Sequence, residues 1–424
     1  MPGHKGKNRL GCEEYDITEI VGADNLFSPE GIIKESEKNA ASLFGTAHTF
    51  YSAEGSTLAI KAMLATALSG SPRVKKKTVL AARNVHKSFI YAAAMLDFEV
   101  RWIQKGSGHL CEAEINVDTL KSALDSDCVF DAVYITSPDY LGNIYDIKAI
   151  SKVCKERGIP LLVDNAHGAY LAFMSPSAHP IALGADMCCD SAHKTLPVLT
   201  GGAYLHVSKS ASAKYLERAR SMLALFASTS PSYLILQSLD LCNEYLASGY
   251  EERLRDTLLK IDATKQKLRE SGIAVIDSEP LKITLHTSEF GYTGYEISEV
   301  LRSFGIEIEF FDEEYAVMMA TPENTDCDFD VLVKALSSLE KRTKTESEKI
   351  DLLPHVACMS VRDAIFSPCE TVLAKESLGR ICASPTVSCP PAVPIVISGE
   401  RIETSDVSLF KKHGISEIQV VKEM

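Results

Sequence analysis

Ile159-Pro-Leu-Leu-Val163, followed by Asp164-Asn-Ala-His167, and Ala185-Asp-Met-Cys-Cys189, followed by Asp190-Ser-Ala-His-Lys194, decide how this chain is read. Each is a short apolar run that ends abruptly in polar residues. Two more pairs share the form: Thr78-Val-Leu-Ala-Ala82 before Arg83-Asn-Val-His86, and Asp131-Ala-Val-Tyr-Ile135 before Thr136-Ser-Pro-Asp139. Helix-like stretches separate them. Continuous apolar runs alternating with helices predict an α/β fold whose mostly parallel sheet is buried on both faces and flanked by helices. Ligands of such sheets bind beyond the carboxyl ends of the strands, so four polar clusters at four such ends describe one site.

Past Gly202 the rhythm changes. Tyr233 to Tyr250 and Glu251 to Ser271 carry apolar residues at helical spacing. Ile273–Ile276, Leu281–Leu285, Ile306–Glu309 and Ala316–Ala320 then alternate with helical stretches, which predicts a smaller α+β domain. Glu340–Lys349 is a charged helix end and linker, and Cys389-Pro-Pro-Ala-Val-Pro394 is an extended stretch for a surface or sheet edge. The expected organisation is an N-terminal segment (1–25), a large domain (26–255), a small α+β domain (256–350) and a C-terminal domain (351–424).

The 424 residues carry a net charge of −13, which disfavours nucleic acid and anionic membrane surfaces as partners. The 12 cysteines form no CxxC pair, so zinc-ribbon and thioredoxin-like spacings are missing. No apolar stretch nears the roughly 20 residues needed to span a bilayer, and Met1–Leu10 is polar. Reduced thiols in the cytoplasm are the expectation.

The strand-end clusters carry the chemistry. Lys194 sits where an enzyme of the aspartate-aminotransferase fold type that uses pyridoxal phosphate (PLP) holds its Schiff-base lysine. A surface lysine is the plainer reading of that residue alone. Asp164, at the end of the preceding strand, could instead cap a helix, but a carboxylate there suits a pyridine nitrogen, keeping the ring protonated as an electron sink. Gly55-Ser56-Thr57 precedes the strong helix former Leu58–Leu68. Taken alone that is more commonly a helix cap, but it also suits a seat for a phosphate. Ser191 offers a further hydroxyl, and His86 could lie flat on a pyridine ring. His86, His167 and His193 beside Asp164 also permit a metal site. Lys194 argues for PLP and no metal, because metal hydrolases do not need it.

With these residues in view, the sequence resembles the Orn/Lys/Arg decarboxylase family of PLP enzymes, in a short form without the N-terminal wing domain. The resemblance rests on Pro2-Gly-His-Lys-Gly6, Asn84-Val-His-Lys-Ser88, Asp164-Asn-Ala-His-Gly-Ala169, Ser191-Ala-His-Lys-Thr-Leu-Pro197 with Leu199-Thr-Gly-Gly202, Thr229-Ser-Pro-Ser-Tyr233, and Arg362–Pro368, Gly379-Arg-Ile381 and Pro390–Pro394 downstream. It implies PLP fold type I and decarboxylation of arginine, lysine or ornithine to an amine of the polyamine pathway. It further implies a Schiff base on Lys194, Asp164 on the pyridinium nitrogen, His86 stacked on the ring and Ala166 packed opposite. Ser56, Thr57, Ser191 and His193 would surround the phosphate, with Gly55, Thr136 and His167 near the cofactor. Thr229 and Ser230 would reach the partner's phosphate in a homodimer with shared sites, and Glu309 would meet substrate.

Three positions depart from the family pattern: the Pro-Gly-His-Lys motif comes unusually early, Ala59 replaces a common glycine, and Leu141 replaces an acid. The expectation is a tighter phosphate loop at Ala59 and altered site contacts at Leu141. An aminotransferase or another lyase of the same fold type, or a non-catalytic PLP-binding homologue, is the alternative reading.

Overall fold

The computed structural model describes residues 2–69, 76–103, 109–345, 355–385, 388–389 and 393–423. Its centre is a seven-stranded sheet of β1 (His48–Ser52), β2 (Thr78–Ala81), β3 (Glu99–Trp102), β4 (Ala132–Thr136), β5 (Leu161–Asp164), β6 (Met187–Asp190) and β7 (Ala203–Val207), in the order β1-β7-β6-β5-β4-β2-β3. β7 runs antiparallel to both of its neighbours, and the remaining pairs are parallel. All four apolar runs of the sequence reading are strands, side by side as β6-β5-β4-β2.

Both faces of this sheet are covered, and the period of two along each strand shows it. Leu80, Val133, Ile135, Leu161, Val163 and Cys188 join one apolar cluster with Leu120, Leu124, Ile150 and Val153, from the helices Val117–Leu124 and Ile147–Arg157. Their strand neighbours Val79, Ala81, Tyr134, Leu162, Met187 and Cys189 join the opposite cluster. That cluster includes Met63, Phe89 and Leu223, from the helices Gly55–Ser69, Lys87–Leu96 and Ala213–Phe226.

The helices Tyr233–Ala247 and Tyr250–Glu270 follow, the second running unbroken through residue 255. A four-stranded antiparallel sheet comes next: β8 (Val275–Ile276), β9 (Lys282–His286), β10 (Phe310–Phe311) and β11 (Tyr315–Met319), in the order β10-β11-β9-β8. The run Ile306–Glu309, read as a strand, is irregular. The strand begins at Phe310, whose buried ring packs with Val317 and Leu141, and Glu309 is left in the loop before it.

The C-terminal part pairs β12 (Cys369–Leu373) with β15 (Glu417–Val421), and β13 (Ser388–Cys389) with β14 (Val393–Pro394). Residues 346–350 of the charged linker, the border near residue 350 and Pro390–Ala392 lie outside the described residues. Arg83, at the end of β2, clasps this part: its guanidinium donates to the carbonyls of Pro394 and Ile395 at 3.1 Å each and to Glu400 Oε2 at 2.9 Å. Among the described residues no helix is long and apolar enough to cross a membrane.

Candidate active site

The carboxyl ends of β2, β4, β5 and β6 open into a cavity of about 210 Å³. Its lining brings together Gly55, Ser56, Thr57, His86, Thr136, Asp164, Ala166, His167, Ser191, His193 and Lys194, all anticipated from the sequence, and adds Pro138 and Tyr140.

One end is built for an anion. Gly55, Ser56 and Thr57 are themselves the first turn of the helix Gly55–Ser69, rather than a loop before it. Gly55 holds φ at +71°, a left-handed value, while its N–H is tied to the Gly201 carbonyl at 2.7 Å. The first turn of a helix carries its positive pole, and here the residues of that turn line the cavity. Ser191 Oγ donates to Ser56 Oγ at 2.7 Å, and Ser88 Oγ bridges Thr57 Oγ1 at 2.9 Å and His86 Nδ1 at 2.8 Å. His193 Nδ1 lies 3.0 Å from the Gly202 carbonyl and donates to it, which leaves Nε2 for a ligand. Hydroxyls, amides and one imidazole converge as a phosphate requires.

The other end is built for a cation and an electrophile. The Asp164 carboxylate is buried, accepting from Tyr134 Oη at 3.1 Å and from the Ala166 amide at 3.2 Å, with Cys189 Sγ at 3.7 Å. Burial pushes its carboxyl above the ordinary value, and Tyr134, Lys194, the Ala166 amide and Cys189 only partly oppose that. A protonated ring nitrogen would supply the missing positive partner. Burial pulls the Lys194 ammonium below its usual value, so the amine form needed to attack a carbonyl becomes accessible; Glu309 and Asp164 oppose the shift. His86 is lowered to about 3, by burial first and then by Lys194 and Lys87, and is neutral. Its Nδ1 accepts from the Ser88 amide at 3.1 Å, capping the helix Lys87–Leu96, and its ring lines the cavity. Thr136 Oγ1 is buried with no hydrogen-bond partner among the described residues. The residues present therefore fit PLP: an anion seat, a buried carboxylate with no ion pair among the described residues, and an amine, all lining one cavity.

His167 Nε2 lies 2.7 Å from Lys194 Nζ, and Glu309 Oε1 lies 3.7 Å from the same nitrogen. Glu309 thus reaches the site from its loop without lining the cavity. Thr229 and Ser230 are exposed and outside the cavity of their own chain, although the neighbouring Ser228 amide donates to Glu54, the residue before Gly55, at 2.7 Å. Ala59 and Leu141 do not line the cavity either. Ala59 is buried in an apolar cluster with Phe89 and Ile90, and Leu141 packs in a cluster with Phe310, Val317 and Val393. The alternative metal reading of His86, His167 and His193 gains nothing, because the described residues whose ligand atoms lie within 4.8 Å of one another are His179, Cys188 and Asp190.

Residues 6–284 match the family described as Orn/Lys/Arg decarboxylase, major domain. The chain belongs to the Orn/Lys/Arg decarboxylase family. It is 30% identical over 450 residues to an arginine decarboxylase of Bacillus subtilis (strain 168), with 97% of this chain and 89% of the relative covered. Among solved structures, the constitutive lysine decarboxylase of E. coli superposes over 100% of this chain and 79% of its own, with a TM-score of 0.78 at 17% identity. A structure of SPT with PLP aligns over 72% of this chain and 75% of its own, with a TM-score of 0.56 at 15% identity, and so shares the fold. The protein is an amino-acid decarboxylase with the α/β architecture of PLP fold type I.

Proposed function

We propose that this decarboxylase uses PLP on Lys194 to remove the α-carboxylate of arginine, lysine or ornithine. The observation that carries the reading is the placing of a buried Asp164, with no ion pair among the described residues, and a desolvated Lys194 in one cavity with the anion seat of Gly55, Ser56, Thr57, Ser191 and His193. When bound, PLP supplies an electron sink for the electron pair left by the broken Cα–carboxylate bond. Asp164 would hold the positive charge of that sink, and His86, neutral and fixed by Ser88, would help hold the cofactor in the cavity. Lys194, whose amine form burial favours, would hold the cofactor through its side-chain nitrogen. Glu309, from the loop before β10, would draw the cationic substrate toward Lys194, and Asp164 is held buried at the strand end.

Assays of carbon dioxide and amine release with all three substrates test this. Turnover of at least one supports it, and a PLP-loaded protein that transaminates without releasing carbon dioxide refutes it.

We further propose a homodimer in which Thr229 and Ser230 complete the partner's phosphate seat, since both hydroxyls are exposed and outside their own cavity. A Thr229→Ala/Ser230→Ala variant mixed with Lys194→Ala should regain part of the activity, as one site of each mixed dimer carries neither defect. No recovery despite subunit exchange would mean that each site is built within one chain.

A further inference from the structure

Lys282 is a fully buried lysine that the chemistry above does not use. β9 alternates: Ile283 and Leu285 face the apolar core, whereas Lys282 and Thr284 face the loop that follows β4. Thr284 Oγ1 donates to the Leu141 carbonyl at 2.9 Å, and Lys282 Nζ donates to the carbonyls of Asp139 at 2.9 Å and Tyr140 at 3.2 Å. The seat is close-fitting. Gly142 holds φ at +95°, its carbonyl accepts from the Glu279 amide at 2.7 Å, and a Cβ there would stand 2.7 Å from Ser278 Cβ. Glu279 Oε1 lies 2.8 Å from Lys282 Nζ, and Tyr170 Oη donates to Glu279 Oε2 at 3.0 Å.

Moving an ammonium out of water costs several kcal/mol. A buried pair that only fastened the small sheet to the large one could be replaced by apolar side chains at little loss. The fourth neighbour of Lys282 separates the two possibilities: Nζ stands 2.9 Å from His167 Nδ1. Nζ hydrogen-bonds to the carbonyls of Asp139 and Tyr140, which can only accept, while Glu279 Oε1 pairs with it by charge and takes no hydrogen bond among the described residues, so the third proton of an ammonium is left for Nδ1. A neutral imidazole that accepts at Nδ1 carries its own proton on Nε2. Nε2 faces Lys194 Nζ at 2.7 Å and Glu309 Oε1 at 3.5 Å.

We propose that Lys282 is a positioning residue that locks His167 as an Nε2–H donor aimed at the Lys194 nitrogen. The consequence for turnover rests on the reading of Lys194 above; the lock itself does not. The groups facing the imidazole are Lys194 and His193 from the helix Ala192–Thr195, His86 from the cap of the helix Lys87–Leu96, the Tyr140 ring from the loop after β4, Lys282 with Glu279 from β9 and the turn before it, and Glu309 from the loop before β10. With Lys194 and Lys282 on its two nitrogens and water excluded, the ring stays neutral. The proton on Nε2 is then available to the Lys194 nitrogen when that carries a lone pair, and to Glu309 when it does not.

The test is ¹⁵N NMR of histidine-labelled protein without added cofactor, the His167 signals being those lost in His167→Gln. Native protein and Glu279→Gln, which keeps the lysine, should both show protonated Nε2 and unprotonated Nδ1. Glu279→Gln/Lys282→Met, which removes charge and donor together without stranding a carboxylate, should show a mixture of tautomers, and after loading with PLP its kcat should fall roughly tenfold or more with KM little changed. Native protein protonated at Nδ1, or a double variant that keeps the pure Nε2–H form, overturns the proposal. Failure of cofactor attachment to Lys194 would leave the tautomer result standing, so the two readings fall separately.

Discussion

Two buried carboxylates end adjacent strands, and they do opposite things. Asp164 ends β5 and Asp190 ends β6, but Asp164 pairs in register with Cys189, so Asp190 lies one residue further on and faces the other side of the sheet. On its side Asp190 accepts from His179 Nε2 and His206 Nε2, both at 3.1 Å, and from Asn165 Nδ2 at 2.7 Å. The far nitrogens are also engaged: His206 Nδ1 with Thr49 Oγ1 at 2.9 Å, and His179 Nδ1 with the Ile181 amide at 3.4 Å. Those partners hold the Asp190 carboxyl far below the usual carboxylate range despite its burial. Asp164 has a phenol, an amide and a thiol as hydrogen-bond donors and only the field of Lys194 besides, and burial wins. A histidine–aspartate cluster that satisfies itself is structure. A buried carboxylate with no ion pair among the described residues, beside a cavity, is the candidate site.

Substitutions should separate the two clusters. The largest effect is expected from Lys194→Ala, which should abolish carbon dioxide release while the protein stays folded, as a circular-dichroism melt would show. Asp164→Asn should cut kcat by roughly 10²–10³-fold, the scale of losing a preorganised electrostatic partner, with PLP still bound. Asp190→Asn should instead cost stability, about 2 kcal/mol by denaturant titration, since two imidazole donors lose their charged acceptor. Retained stability there, or near-normal turnover in Asp164→Asn, would erase the distinction.

A smaller effect sharpens the comparison through pH. The Asp190 carboxyl is lowered in the folded state, so its stabilisation is full above the unfolded carboxyl value and disappears as pH falls through the lower folded value. The Asp164 carboxyl is raised, so in cofactor-free protein it weighs against folding as pH rises from the unfolded value through the folded one and beyond. At neutral pH, cofactor-free Asp164→Asn should therefore melt slightly above native protein and Asp190→Asn below it. Two shifts of the same sign would contradict the assignment.

How much the sequence could show follows from the same geometry. β5 and β6 were legible because strands buried on both faces read as unbroken apolar runs, and the polar residues that follow them were legible as a cluster at one sheet edge. β7 was not, since His206 interrupts Ala203-Tyr-Leu-His-Val207, so the closed cluster around Asp190 had no visible third element. Lys282 was hidden for a related reason. A lysine in Leu281-Lys-Ile-Thr-Leu285 reads as the solvated face of an alternating strand, and only the docking of β9 on Asp139–Gly142 turns that face inward. Tyr134 and Ser88 stood inside motifs already noted, but their work is to fix Asp164 and His86, which needs contacts across strands to be seen.

Borohydride reduction of the PLP-loaded protein, followed by peptide mapping, tests the central claim most directly. A single pyridoxyl label on Lys194, in the peptide bearing Ser191-Ala-His-Lys194, is the expected result. A label on another lysine, or none with PLP in excess, would contradict it.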